Sequence, residues 1–230
     1  MPREPETDTP RSGPPRPALD VATSMRATQW LRQSLTGFAT PVASLVPGHY
    51  AAYARIYHEF DQSARDGAPP PRWESLAGRS MRSAEDAVDF ALAGVAGGQA
   101  LIGTASRRLV DALIPLLAHA TARPDECYFA VWEGFGDLGD SLRSCPPTLD
   151  LPHRSYHLFL GQLGEARTSF SYLSWLDRSA NLWWPADRAW CVSTEVDAAW
   201  TYVGGTRELI DGILACPELD AIATAAGAEW

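Results

Sequence analysis

Two carboxylates, Glu195 and Asp197, stand two positions apart in the segment CVSTEVD. On a strand such residues leave the same face about 6 to 7 Å apart, a spacing that suits acid/base pairing or a shared cation. Glu133 in VWEGFG, Asp187, His157 and Arg154 would complete the cluster if their strands were neighbours, driving carboxyl pKa values apart for proton transfer. The catalytic candidates are therefore Glu133, Glu195 and Asp197. The same acids have a second reading, in which they accept hydrogen bonds from arginines such as Arg188 or Arg55 and from tryptophan N–H groups and hold a sheet face together. The rings of Trp132, Trp183, Trp184 and Trp190, with Tyr128 and Tyr202, offer either a ligand or peptide surface or a core. Trp183 and Trp184 are consecutive and point opposite ways in an extended chain, so one of the two is expected at the surface. Trp132, Trp183, Trp184, Arg188 and Tyr202 are the candidate ligand- or partner-binding residues.

The composition removes several alternatives. All 19 basic residues of the 230 are arginine. Without lysine there is no Schiff base for pyridoxal phosphate and no phosphate-loop or kinase-type lysine. A net charge of −9 opposes a phosphate backbone, so nucleic acid is not an expected partner. Cys127, Cys145, Cys191 and Cys216 form no C-x-x-C pair, which argues against a zinc or redox motif and for a reduced, cytoplasmic protein. The histidines His49, His58, His119, His153 and His157 include no H-E-x-x-H, and G-x-S-x-G is absent. No cofactor and no metal are implied. The first residues lack the apolar run of a secretory signal, and the stretch from Ala87 to Gly103 is too broken by Asp89, Gln99 and glycines to span a bilayer.

The elements that must position these residues follow from periodicity. Residues 1–19 carry six prolines and read as a disordered tail. Val21, Met25, Leu31 and Leu35 mark an amphipathic helix over 20–36, capped by Asp20, which packs on its own domain or docks on a partner. From residue 40 to 230 the pattern is one α+β domain with an antiparallel or mixed sheet and flanking helices. Tyr53–His58 alternates as a half-buried strand, and residues 66–73 form a Pro-rich loop. Helical periodicity covers Ser83–Ala93 and Ser106–Ala118, the second capped by Ser106 and kinked or shortened at Pro115. Strands are expected within Cys127–Gly136, Ser155–Leu163, Arg188–Val196 and Trp200–Gly205, and a last helix follows the Thr206 cap. Gly204-Gly205 reads as a tight turn needing positive φ, or as a backbone anion cradle.

The block from Trp183 to Gly205, with VWEGFG and the strand Arg154–Phe159, resembles an uncharacterised family of high-GC Gram-positive bacteria that shares the pattern WWPxDRxWxVxTxxDxxxTYVGG. More distantly it is similar to SUKH-type immunity and scaffold proteins. The first resemblance supplies no activity and the second is an analogy of fold that admits an immunity or accessory role; the missing catalytic motifs, the Pro-rich tail and the many tryptophans imply a protein or small-molecule partner, and the broken apolar stretch implies no membrane. The expected function is a non-enzymatic cytoplasmic interaction module; the alternative is an unrecognised hydrolase or transferase using the Glu/Asp cluster.

Overall fold

The computed structural model describes residues 19–22, 25–35, 41–59, 73, 100–146, 148–152 and 154–230. The expected tail, the helix over 83–93, most of the Pro-rich loop and His153 lie outside the described residues. Nine strands form one sheet: β1 (Asp20–Val21), β2 (Ala52–Tyr57), β3 (Cys127–Trp132), β4 (Leu149–Leu151), β5 (Arg154–Gly161), β6 (Leu182–Pro185), β7 (Cys191–Thr194), β8 (Trp200–Gly205) and β9 (Ala221–Thr224). The order is β1-β5-β3-β6-β7-β8-β2-β9, and β4 pairs β5 beyond the stretch that β1 occupies. Every pairing is antiparallel.

Helices cover both faces, which makes the protein an α+β fold. On one face lie α2 (Arg107–His119) and α4 (Arg207–Ala215), whose Leu109, Leu113, Leu117, Leu209, Ile210 and Ile213 pack on Ile56, Phe129, Trp183, Val192 and Val203. Each starts on a hydroxyl: Ser106 Oγ accepts from Leu109 N at 3.0 Å and Thr206 Oγ1 from Leu209 N at 3.2 Å, satisfying donors that a helix start leaves open. Pro115 lies inside α2 without ending it. The other face carries Tyr53, Tyr57, Ala130, Tyr156, Leu182, Trp184, Trp200 and Tyr202, covered by α1 (Met25–Ser34) and the 3-10 turn Val42–Ser44. The single-turn α3 (Asp140–Arg143) lies between β3 and β4.

Several expectations change, through strand pairing and through coverage of both faces. Residues 20–21 are a strand paired to Leu160 and Phe159, so Asp20 caps nothing and the first helix begins at Met25. That helix buries Trp30 and Leu31 against the sheet, with Trp30 edge-on to Trp184 at 6.1 Å, so its apolar face is occupied within the domain. Strand β2 is buried on both sides: Ala54 and Ile56 as well as Tyr53 and Tyr57. Gly204 and Gly205 are not a turn. They lie within β8, where a Cβ at 204 would sit 2.6 Å from Tyr50 and 2.7 Å from Val46, and a Cβ at 205 would sit 2.7 Å from Leu209. Close packing, not positive φ, requires these glycines.

Full burial also sets the state of His58. Its Nδ1 lies 2.6 Å from Leu101 O, which can only accept, so the neutral ring carries its proton there; Nε2 lies 2.9 Å from Thr201 Oγ1. Desolvation outweighs the Leu101 carbonyl and lowers the pKa from 6.5 to about 4. The unfolded chain therefore takes up this proton first as the solution is acidified. Stability present above pH 6.5 is lost as pH falls from 6.5 to about 4, by about 3 kcal/mol at roughly 1.4 kcal/mol per tenfold change in proton affinity. His157, lowered by burial, adds in the same direction, whereas Glu195, raised by burial, opposes it. Denaturant unfolding of wild type and His58→Gln across this range isolates His58, because the other two groups are common to both. The variant is expected to show the shallower fall, and parallel curves would refute the assignment.

Candidate functional site

Glu195 and Asp197 do converge, but on an arginine. Arg154, on β5, forms an ion pair with the Glu195 carboxylate beyond the end of β7, and its NH2 lies 3.2 Å from Asp197 Oδ2. The guanidinium stacks over Trp132 at 5.1 Å. The two acids differ in setting, since Glu195 is 4% exposed whereas the Asp197 side chain is 83% exposed. Burial raises the Glu195 pKa, Arg154 draws it back, and the backbone N–H groups of Val196 and Asp197 add support, with burial prevailing.

Glu133 does not join them. Trp132 shares the face of Ala130 and Arg154, so Glu133 leaves the opposite side, exposed, where its charge acts on buried His157. Among the described residues no three His, Cys, Asp or Glu side chains are grouped to hold a metal ion. A cavity of about 30 Å³ beside the Arg154–Glu195 pair is lined by Asn181, Ser193, Thr194 and Tyr156, with Leu35 and Leu45 from the covering layer. That is room for a water or two, not for an organic substrate.

The tryptophan candidates are core. Trp183 and Trp184 are both buried, one on each face: Trp183 stacks on Phe129 at 6.3 Å and meets Trp190 edge-on at 5.8 Å, while Trp184 stacks on Tyr128 at 5.6 Å. The expectation that one is exposed fails because α1 covers the second face. Trp132 is half-buried and folds over Gly134, where a Cβ would come within 2.2 Å of the indole. Arg188 sits at φ 58° in the β6–β7 turn, with its guanidinium 5.3 Å from the Trp30 ring and its carbonyl accepting from Tyr50 OH at 3.2 Å. Asp187 fastens that turn to the α2–β3 loop by accepting from Thr121 Oγ1 at 2.8 Å and Ala122 N at 2.9 Å. Tyr202 is buried and accepts from Arg55 Nε at 2.8 Å.

Among the described residues the most exposed aromatic side chains are not among the sequence candidates. The loop before β6 presents Trp175 and Tyr172, 78% and 63% exposed. Both ends of this loop are tied down. Arg178 grips Asp137 with two hydrogen bonds of 3.1 and 2.9 Å and stacks on Phe135 at 3.8 Å. Burial pulls the Asp137 carboxyl upward, but Arg178 and Ser171 outweigh it and hold the pKa below its ordinary value. Tyr172 N donates to Asp137 O at 2.9 Å, Phe170 packs on Phe159, and Thr104 Oγ1 donates to Asp177 O at 2.8 Å. The available signal was a tryptophan and a tyrosine in a Ser-rich stretch, SFSYLSWLDRS, that fits neither helical nor strand periodicity.

Comparison of the chain with protein-family models, curated proteins and solved structures finds no match. Among the described residues no helix is long and apolar enough to cross a membrane.

Unequal burial predicts unequal loss. Glu195→Gln removes the buried carboxylate that faces Arg154 and is expected to cost about 2 kcal/mol, whereas Asp197→Asn removes an exposed one and costs about 0.5 kcal/mol or less. Denaturant unfolding of the two variants measures the difference. Equal losses would contradict the division of labour between the two acids.

Proposed function

We propose that this chain is a non-enzymatic, cytoplasmic binding module that docks a protein partner on the loop carrying Tyr172 and Trp175. The exposure of Trp175 on a segment anchored at both ends carries the reading. Indole and phenol rings bury large areas with few rotatable bonds, and a loop already held in place loses little entropy on binding. Such side chains dominate the energetics of protein interfaces. The net charge of −9 steers the chain toward a partner with a basic surface around an apolar pocket. The enzyme alternative has less support, because Glu195 and Asp197 face Arg154 while Glu133 faces His157.

The test places a photo-crosslinking residue at exposed position Ser174 of the full chain, in cells that produce it, followed by titration with the purified partner so identified. The double variant Tyr172→Ala/Trp175→Ala is expected to keep the wild-type melting temperature within about 2 °C and to bind at least about tenfold more weakly. Equal affinity of the partner for both proteins would place docking elsewhere.

A further inference from the structure

Among the described residues three arginine side chains are largely enclosed, and two of them meet a carboxylate: Arg154 meets Glu195, and Arg178 meets Asp137. The third, Arg55, is 5% exposed in the middle of β2, between Tyr202 of β8 and Ile222 of β9. Its Nε donates to Tyr202 OH at 2.8 Å and its NH2 to the Glu229 carbonyl at 2.9 Å. The rings of Trp200 and Tyr202 lie 5.4 and 5.3 Å from the guanidinium carbon. Among the described residues no carboxylate pairs with it. A buried cation held only by neutral groups is costly, and an anionic guest would relieve that cost.

A second observation at the same place points the same way. The indole Nε1–H of Trp200 is buried without a hydrogen-bond partner. It lies close enough to Tyr202 to help lower that phenol's pKa, yet not in a geometry that makes a hydrogen bond. Burial nonetheless prevails and pushes the Tyr202 pKa up to about 12, so its hydroxyl keeps its proton and can donate. The cluster is thus rich in donors and poor in acceptors, and it carries one positive charge. The one acceptor that the backbone lends to Arg55 comes from the segment 225–230. That segment is laid over the sheet edge by Val42 N to Ala228 O at 2.8 Å, Ala43 N to Ala226 O at 2.9 Å and Trp230 Nε1 to Ser44 Oγ at 3.1 Å. Its alternate residues 225, 227 and 229 are exposed, while Ala226, Ala228 and Trp230 pack against the core face that holds Trp200 and Tyr202.

We infer that Arg55, Trp200 and Tyr202 form a binding site for a small carboxylate, which displaces the Glu229 carbonyl from Arg55. The rings of Trp200 and Tyr202 flank the guanidinium, and its edge donates to Tyr202 OH and to the Glu229 carbonyl that the ligand would replace. A planar carboxylate meets that edge with two parallel hydrogen bonds. This site is separate from the Tyr172–Trp175 loop and does not depend on the docking role proposed for it.

Thermal unfolding of the full chain in sodium acetate, sodium phosphate and sodium chloride at equal ionic strength tests the inference. Acetate at tens of millimolar is expected to raise the melting temperature by about 3 °C over chloride, with phosphate giving less. Arg55→Met is expected to melt no earlier than wild type in chloride and to lose the acetate response. If Arg55→Met does not fold, Trp200→Phe decides, since it keeps the ring and removes the donor and should at least halve the response. A response as large in either variant as in wild type, or no acetate response in wild type, overturns the inference. Stabilisation by phosphate alone overturns the assignment to carboxylate.

Discussion

Covering both faces of a nine-stranded antiparallel sheet is the constraint from which the other features follow. Once α2 and α4 close one side and α1 with the 3-10 turn closes the other, polar groups on the central strands lose access to water and must be satisfied from within. The solutions are individual and local. His58 bridges Leu101 O and Thr201 Oγ1, and Thr201 meets Thr194 at 2.7 Å. Asn181 accepts from Trp132 N and donates to Thr194 O, sealing the end of the β6–β7 pair. Arg154 takes Glu195 and Arg178 takes Asp137.

The absence of lysine acquires a structural meaning in this setting. Four described arginines lie on aromatic rings: Arg55 on Trp200 and Tyr202, Arg154 on Trp132, Arg178 on Phe135 and Arg188 on Trp30. A planar, weakly hydrated guanidinium stacks on such faces while its edge makes directed hydrogen bonds, and a compact ammonium does neither as well. The aromatic residues and the arginines therefore form one packing system. This is why rings that look like a binding surface in the sequence turn out to be walls of the core.

What was legible in the sequence was whatever nearest neighbours decide. The caps Ser106 and Thr206 and the apolar spacing of α2 and α4 depend on residues three or four apart, and both helices appear where the pattern puts them. The strands containing Phe129, Leu158, Val192 and Val203 were likewise readable from their branched and aromatic residues. Short strands such as β4 and β9 were not, because three or four residues carry too little pattern. Strand β1 escaped notice because its only reason for being a strand lies about 140 positions away, at Leu160 and Phe159.

The candidate site shows the same division more sharply. The sequence by itself determined that Glu195 and Asp197 belong together, since alternation and a following turn put both near one end of β7. It also determined that lysine chemistry was out of reach, because all the Lys+Arg cations are arginine. Only the tertiary structure decided that Arg154 fills the space between those acids, that Glu133 lies across the sheet from them, and that Trp183 and Trp184 are both enclosed. Among the described residues it alone singled out Arg55 as the enclosed arginine with no carboxylate, and Tyr172 and Trp175 as exposed rings. The physical reason is that a side chain's type and its face along a strand are local properties. Its charge partner and its burial depend on registers between strands and on which helix covers which face, and these are set by contacts between residues far apart in the chain.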